Sequence, residues 1–480
     1  MTPNGLQNPT LHVKPGDHLI ITVTNNTPAQ AQHMTINPPN CPPGIVQMTG
    51  SSLNIHYHGT NMSPTCHSDE VIKTLINSNQ TFQYTLTIPA DEPPGLYWYH
   101  PHVHGLSDQV VLGGASGALV VDGIENVNPA VANLPQRILM IRDQQKRQNI
   151  RQGTGVDPLG IPFKDLTINH ISTNATIDTT TGRTTYTPAI LQMEAGKPQF
   201  WRVSNSTADS ILDLHVLFDG VPQTIQIVAI DGVPVNSQDG AQPGSVIPVT
   251  HFRLPTASRV EFIVNAPPPT VQVAQLVTQN TNTGIDGDSA PNRPLFNIQL
   301  GAGGNAALAA DNRVGLSVAS ASNLNRFAGL TAAPVAAQRL VFFNEIRSPQ
   351  LVFFMNVNGQ PEKVFDPNAD PAITATQGTV EEWTVENRTK ENHEFHLHQV
   401  HFLVEAQNNF EINGNQQAPG ITGQFLDTIE VPHWDGKSAK FPSVTLRVDF
   451  REQDIGDFVF HCHILVHEDL GMMNIIRVQP

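Results

Sequence analysis

The stretch FHCHILVHEDLGMM, residues 460–473, contains three histidines, one cysteine and two methionines. If it begins as a β-strand, alternate side chains point to opposite faces, so Cys462 faces away from His461 and His463. His467 follows Cys462 by five residues and Met472 by ten. With His393 from further up the chain, they supply two His, one Cys and one Met, the ligand set of a blue-copper electron-transfer site. The alternative is that Cys462 is simply a small buried apolar residue.

Histidines separated by one residue recur outside this stretch, and on a strand such a pair directs two imidazoles to one spot. The four pairs are His56/His58, His100/His102, His396/His398 and His461/His463. One pair alone is more often a solvated strand face than a metal site. Four pairs offer eight nitrogens, more than one metal ion can use and enough for three. Two pairs lie near each end of the chain, which predicts a metal cluster at an interface between the first and last domains.

The two predicted sites are adjacent in the sequence. Consecutive Cα atoms lie about 3.8 Å apart. An electron that enters at the Cys462 site could therefore reach the cluster through covalent bonds to His461 and His463. A cluster of three metal ions fed in this way could collect four electrons and reduce dioxygen without releasing partly reduced species.

The composition favours an all-β protein. The 480 residues include 38 Pro and 35 Gly, and short Val/Ile/Thr/Phe runs alternate with turn residues. At roughly 150 residues per domain the length predicts three domains. The formal net charge of -16 disfavours a nucleic-acid partner. Apolar runs are too short for a membrane span.

The predicted organisation is a first domain over residues 1–124, a second over 125–300, a linker over 301–337 and a third domain over 338–480. The segment GDHLIITVTNNT in the first domain resembles GTVEEWTVENRT in the third, a weak internal repeat that suggests duplicated β-sandwich units. The middle domain has only His170, His215 and His251 and no paired motif.

Two further cysteines, Cys41 and Cys66, flank one β-rich stretch. They are compatible with a disulfide and an oxidising compartment, or with two separate buried thiols. Since the chain enters a strand-like pattern at once, we expect a leader, and with it a first strand, to be absent from this sequence. The predicted location is therefore secreted or periplasmic.

The motifs HYHG, HPH, HEFHLH and HCHILVHEDLGMM resemble those of the three-domain multicopper oxidases, which include laccases, bilirubin oxidases and bacterial spore-coat or copper-efflux oxidases. The resemblance implies three cupredoxin-like Greek-key domains, the middle one free of copper, and four copper ions: one type 1, one type 2 and two type 3. It assigns type 2 copper to His56 and His396, the type 3 pair to His58, His100, His102, His398, His461 and His463, and type 1 copper to His393, Cys462, His467 and Met472.

This sequence departs from the family pattern at Glu394 and Gln399, where Pro and Gly are usual, although the ligand spacing survives. Methionine at position 472 implies a bacterial-like type 1 site of lower potential than in fungal laccases. Asp69 and Glu468 are placed like the family's proton-delivery carboxylates; the alternative is a turn aspartate and a solvated glutamate.

Three additional histidines, His67, His104 and His401, exceed the ten that the motifs require and are expected around the ligands or on the surface.

The function expected from this resemblance is one-electron oxidation of phenols or aryl amines coupled to reduction of dioxygen to water by a monomer. The partners are a small reducing molecule and dioxygen. Alternatives are a metallo-oxidase of cuprous, ferrous or manganous ions, a bilirubin oxidase, and a metal-free scaffold. The nine Met residues are dispersed, without the Met-rich insert common in metallo-oxidases, and no motif ligand is lost.

Overall fold

The computed structural model describes residues 8–145 and 164–480, except 174, 179, 182, 239–243, 289, 302–303, 306–307, 309–323, 411–418 and 453. Strands dominate this part of the chain. Its α-helices are three short ones: α1 (Ser107–Leu112), α2 (Ile124–Val127) and α3 (Leu465–Asp469). The all-β prediction is confirmed.

The first block of the chain forms a four-stranded sheet, order β1-β8-β7-β5, and two antiparallel pairs of strands, β2 with β6 and β3 with β4. Its strands are β1 (Leu11–Val13), β2 (His18–Thr24), β3 (Gln32–Thr35), β4 (Gln47–Thr49), β5 (His56–His58), β6 (Thr81–Thr87), β7 (Gly95–His100) and β8 (Gly117–Val121). In β6, Phe82, Tyr84 and Leu86 are buried and alternate with exposed polar residues, as expected for a strand with one face on the core. The antiparallel register sets His56 opposite His100, which brings two of the histidine motifs together.

The middle block has two large sheets, one built around β9, β15, β22 and β18, and one around β14, β24, β23 and β16. Its strands are β9 (Gln136–Gln145), β10 (Lys164–Ile168), β11 (Ile171–Ser172), β12 (Ala175–Asp178), β13 (Arg183–Tyr186), β14 (Ala189–Met193), β15 (Gln199–Asn205), β16 (Leu212–Phe218), β17 (Val221–Pro222), β18 (Ile225–Ile230), β19 (Val233–Pro234), β20 (Ile247–Val249), β21 (Phe252–Leu254), β22 (Arg259–Val264), β23 (Ala274–Thr278) and β24 (Arg293–Leu300). Every residue of β22 is buried. One reason is that Glu261 on this strand accepts a hydrogen bond from the Leu96 amide of the first block.

The third block forms a six-stranded sheet, order β26-β25-β28-β33-β30-β31, and a five-stranded sheet, order β27-β35-β34-β29-β32. Its strands are β25 (Val335–Ile346), β26 (Val352–Val357), β27 (Ile373–Thr376), β28 (Val380–Asn387), β29 (His393–Leu397), β30 (Phe402–Asn408), β31 (Phe425–Leu426), β32 (Thr428–Val431), β33 (Ser443–Asp449), β34 (Gly456–Cys462) and β35 (Met473–Gln479). Trp383, Phe395 and Phe460 pack between the two sheets. Strands β29 and β34 are antiparallel neighbours, with His396 opposite His461.

The internal repeat extends to all three blocks. Buried asparagines at positions 25, 205 and 387 each lie at the end of a strand and each donate two hydrogen bonds to backbone carbonyls. Each also accepts hydrogen bonds from the amide and the hydroxyl of a threonine two residues later. The sequences are NNT, NST and NRT. The same side chain therefore fixes the same turn three times, as expected for repeated sandwich units.

The predicted linker, residues 301–337, lies partly outside the described residues. Its described end includes a 3-10 helix, Leu324–Phe327, and the start of β25. Phe327 stacks on Phe425 of the third block with ring centroids 3.8 Å apart. This end packs because Phe327 and Leu330 are apolar residues in an otherwise Ala/Gly/Asn-rich stretch. The domain boundaries themselves stay predictions.

Cys41 and Cys66 form a disulfide, with Cα atoms 5.6 Å apart, so the disulfide prediction is confirmed. It joins the β3–β4 region to the loop that leads to Asp69. Among the described helices, none is long and apolar enough to cross a membrane.

Candidate metal centre

Eight imidazoles meet where the first and third blocks touch. They are His56 and His58 on β5, His100 and His102 at the end of β7, His396 and His398 on and after β29, and His461 and His463 on and after β34. All are fully or almost fully buried. Rings from the two blocks interleave: His56 stacks on His398 at 3.9 Å between centroids, and His58 on His396 at 4.0 Å. The structure thus brings all four predicted pairs into one cluster.

Most of these rings keep one nitrogen without a hydrogen-bond partner. The unpaired buried atoms include His56 Nε2, His58 Nδ1, His100 Nε2 and His396 Nε2. The opposite nitrogen of each ring is held: His56 Nδ1 lies 3.0 Å from Asp69, and His396 Nδ1 lies 2.8 Å from the Asp427 carbonyl oxygen.

A buried polar atom without a partner is unfavourable, whereas a metal-ligating histidine needs this arrangement, with one nitrogen anchored and one free. The cluster therefore fits the copper ions that the resemblance implies.

The protonation state also suits metal binding. Burial is the main cause that lowers the pKa of all eight imidazoles, to about 3 for His100 and His461. Neighbouring imidazoles lower it further. The rings are therefore neutral near pH 7, and neutral imidazole is the form that ligates a metal.

A second group of ligands lies on the other face of β34. Cys462 Sγ is 3.6 Å from His393 Nδ1 and 3.7 Å from His467 Nδ1, and the two ring nitrogens are 3.1 Å apart. Bonds of about 2.0 Å to nitrogen and about 2.3 Å to sulfur, at angles near 100–120°, give ligand separations of about 3.1–3.8 Å. The three residues thus fit one first-row metal ion.

Around this group the environment is mostly apolar. Phe353 stacks on His467 at 4.1 Å, and burial raises the pKa of the Cys462 thiol, so deprotonation depends on a bound cation. Met472 is buried, and its carbonyl accepts a hydrogen bond of 3.0 Å from the Cys462 amide.

The two predicted proton-delivery carboxylates both reach the histidine cluster. Asp69 accepts hydrogen bonds from the Tyr57 amide and from Gln399, one of the residues that departs from the family motif. Glu468 accepts one from Ser107 and lies 3.5 Å from His461 Nδ1. Burial raises the pKa of both carboxyls well above its usual range. Both are buried groups beside the cluster: Asp69 lies in a turn, as the alternative has it, whereas Glu468 is not solvated.

Sequence reasoning missed the most connected acid in the region, Asp427. It lies 3.1 Å from His58 Nε2 and is paired with the buried Arg259 of β22, with Nη1–Oδ1 at 3.0 Å and Nη2–Oδ2 at 2.5 Å. Gly59, in the HYHG motif, has φ +83°, and a Cβ there would collide with Arg259 and Asp427. Only glycine fits this contact. An isolated Asp and Arg, 168 residues apart, carry no local signal.

Glu394 also has a role that its position in the motif did not reveal. Its carboxylate accepts hydrogen bonds from the backbone and hydroxyl of Thr256 in the middle block. Its amide lies 3.5 Å from Cys462 Sγ and donates to it. Burial raises its pKa to about 8. The middle block thus holds the strand that carries His393 and His396.

The three additional histidines lie outside both clusters. His67 is exposed and stacks on Phe82, and His104 packs its ring against Phe365. His401 is buried, with Nε2 2.9 Å from the Asp231 carbonyl oxygen.

Comparison with known proteins agrees with this architecture. A family model described as multicopper oxidase matches residues 47–126, and a second with the same description matches residues 342–480. The multicopper oxidase LPR1 homolog 1 of Oryza sativa subsp. japonica is 30% identical over 148 residues, which are 28% of this chain and 24% of that protein.

Solved structures of three bacterial proteins share the fold. A multicopper oxidase of Campylobacter jejuni, described as a metallo-oxidase, has a TM-score of 0.66 at 22% identity, covering 99% of this chain and 86% of that one. A variant of McoA from Aquifex aeolicus has a TM-score of 0.67 at 17% identity, covering 98% and 90%. The laccase-like CueO of Ochrobactrum sp. has a TM-score of 0.65 at 18% identity, covering 99% and 91%.

The chain therefore resembles the multicopper oxidases in two segments, which together make up less than half of its 480 residues. The predicted resemblance, the cupredoxin-like β-sandwich fold and the enzyme class, an oxidoreductase, are confirmed. The two family models match the first and third blocks, which are the two that supply the clustered histidines.

Proposed function

We propose that this protein is a laccase-type multicopper oxidase that oxidises phenols or aryl amines one electron at a time and reduces dioxygen to water. The observation that supports the proposal is the pairing of two ligand groups: eight buried imidazoles, six of which have a ring nitrogen without a hydrogen-bond partner, and a Cys–His–His group that shares strand β34 with them.

Four copper ions account for these ligands. The tips of His102, His398 and His461 lie within 4.8 Å of one another, which suits one ion of a type 3 pair. The other type 3 ligands are His58, His100 and His463. His56 and His396 would hold type 2 copper. His393, Cys462, His467 and Met472 would hold type 1 copper.

Bound copper would supply the one-electron oxidation of substrate and the four-electron reduction of dioxygen. The chain's own contribution begins with position. Cys462 is bonded directly to both His461 and His463, so the two ligand groups are connected covalently without a gap.

Proton supply is the other contribution. Asp69 lies against His56 and Glu468 against His461, both with carboxyls that burial holds toward the protonated form. Each can therefore retain a proton near neutral pH and release it to the cluster, which general acid catalysis requires.

The reductant is the least constrained part of the proposal. A metallo-oxidase is the second candidate, because the Campylobacter relative of the same fold is described as one. A bilirubin oxidase is the third. Steady-state kinetics on phenols, bilirubin and cuprous, ferrous and manganous ions, measured in parallel, would rank the three by kcat/KM.

We further propose a secreted or periplasmic monomer. The Cys41–Cys66 disulfide supports this location, because disulfides persist in oxidising compartments.

The experiment that tests the copper assignment is replacement of Cys462 by serine. Copper-loaded wild-type protein should contain four copper ions per chain and show an intense blue thiolate-to-copper band. Cys462→Ser should lose the band, lose turnover and retain three copper ions. As a control, the double variant Cys41→Ser/Cys66→Ser removes the other two cysteines and should stay blue. A blue band that survives in Cys462→Ser would show that the type 1 assignment is wrong.

A further inference from the structure

The middle block contains a compact group of potential metal ligands that the copper assignment leaves unused. Asp213 Oδ1 lies 2.8 Å from His251 Nδ1, and Asp213 Oδ2 lies 3.2 Å from His215 Nε2. The two imidazoles stack almost parallel, with centroids 5.1 Å apart and planes 10° apart. One carboxylate therefore faces two histidines at once.

Regular strand pairing builds this group. Asp213 and His215 are two residues apart on β16, so they share a face of the sheet. Strand β21 pairs antiparallel with β16, with Leu214 opposite Phe252, and His251 immediately precedes Phe252. Hydrogen bonds of Asp213 to Thr278 and Gln279 on the other side fix β16 as well. The three ligands are thus held by rigid backbone.

The hydrogen bonding of the group is incomplete. His215 is only 9% exposed, yet neither of its ring nitrogens makes a hydrogen bond of sound geometry. Arg253, opposite Asp213 in the register, cannot neutralise that carboxylate because its guanidinium is paired with Glu430 of the third block. Burial raises the pKa of the Asp213 carboxyl but the two histidines lower it more, so the net direction is downward and the carboxylate is ionised.

We propose that Asp213, His215 and His251 form a binding site for one divalent first-row transition metal ion, such as zinc, separate from the copper centres. Two imidazoles and one carboxylate are a common ligand set for these ions. In a tetrahedral site with bonds of about 2.0–2.1 Å, neighbouring ligand atoms lie about 3.3–3.4 Å apart. The observed distances of 2.8 and 3.2 Å run to the two different oxygens of the Asp213 carboxylate, so both oxygens would face the ion, and each distance needs to open by only a few tenths of an ångström. The half-buried His251 leaves a side open to solvent, where water can complete the coordination.

Zinc binding to the copper-loaded protein tests the proposal, because filled copper sites are then closed to zinc. Isothermal titration calorimetry with zinc chloride should show one saturable site per chain, with the blue band and the copper content unchanged. Zinc K-edge absorption should show nitrogen and oxygen donors without sulfur.

The variants His251→Gln and Asp213→Asn should each weaken zinc binding by about 100-fold or more, since loss of groups that merely support a ligand already costs 10–100-fold. His18→Gln is the matched control, because it removes an exposed histidine of β2 that contacts Thr87, and should bind zinc like the wild type.

Three results would overturn the proposal: no saturable zinc site, equal affinity in wild type and both variants, or zinc uptake that displaces copper. His251 is partly exposed, so its variant tests the ligand role even if Asp213→Asn folds poorly.

Discussion

Replacement of Arg259 by methionine should weaken the contacts among the three blocks where they meet. The Arg259 side chain is completely buried and donates hydrogen bonds to the Leu96 carbonyl of the first block and the Asp231 carbonyl of the middle block. It also makes the bidentate contact to Asp427 of the third block. Methionine is similar in length and apolar, so the change removes the charge and the hydrogen bonds without leaving a large cavity.

The expected loss of stability is large because two buried carboxylates, those of Asp427 and Asp231, lose the cation that faces them. Removal of one partner of a buried ion pair costs about 3–5 kcal/mol. Domains are stable by only about 5–15 kcal/mol in total. The loss should therefore be visible as a clear shift of the first unfolding transition. Because Asp427 also contacts His58, the variant should bind copper more weakly at that position, by about 10–100-fold.

The effect should depend on pH with a predictable sign. Burial, and then the charge of Asp427, raise the pKa of the Asp231 carboxyl from 3.8 to about 7, while Arg259 acts in the lowering direction. Without Arg259 the folded-state pKa rises further. Between about pH 4 and this raised pKa the folded protein holds more protons than the unfolded chain, so stability falls as pH increases. The free energy of unfolding of Arg259→Met should therefore fall furthest below that of the wild type above pH 7, and less far below it at pH 5.

Urea unfolding at pH 5 and pH 8, with copper content measured by mass spectrometry, checks both expectations. The control is Arg477→Met, which removes an arginine that is 47% exposed and paired with Asp457 at the surface. A surface pair contributes at most about 1 kcal/mol. If Arg259→Met is no less stable than this control, and its deficit does not change with pH, the reasoning about the buried cation is wrong.

Three further predictions concern four individual positions. Met472→Leu should raise the reduction potential of the type 1 site, because a thioether ligand favours oxidised copper. A tenfold loss of affinity for the oxidised ion corresponds to a rise of about 59 mV in a redox titration. An unchanged or lower potential would contradict axial coordination by Met472. Asp69→Asn and Glu468→Gln should leave bleaching of the blue band by substrate fast and slow its return with dioxygen in stopped flow; wild-type reoxidation in both would place proton delivery elsewhere. Gly59→Ala should lower copper content and thermal stability, because the positive φ and the contact with Arg259 exclude a Cβ; a variant with the stability and copper content of wild type would refute this.

The parts of the site that the sequence could predict are those set by local periodicity. Alternation along a strand predicts that Cys462 points away from His461 and His463. In the structure Cys462 lies beside His393, whereas His461 and His463 belong to the cluster of eight imidazoles. The same alternation predicts which residues of β6 enter the core. Both inferences need only the neighbours of a residue in the chain.

What the sequence could not predict depends on contacts between distant segments. Arg259 is a single charged residue on β22 and Asp427 a single one between β31 and β32, and their importance arises only when the fold brings them together beside His58 and Gly59. Glu394 looks like a departure from a motif until Thr256 is found against it. The Asn turn of the middle block is different, because the sequence does contain its signal: GKPQFWRVSNST, residues 196–207, shares its Gly, Val, Asn and final Thr with both other copies at the same spacing.

The division of the eight imidazoles, four from each of two blocks, makes metal uptake and the docking of those blocks one thermodynamic event. Ions that bind only the docked arrangement stabilise it by RT ln(1 + [L]/Kd), about 2.7 kcal/mol for each site at a free concentration 100 times Kd. By reciprocity, any substitution that loosens the interface weakens copper binding by the same factor. The supply of copper during maturation should therefore determine how firmly the first and third blocks hold each other, and copper-starved chains should open at this interface first.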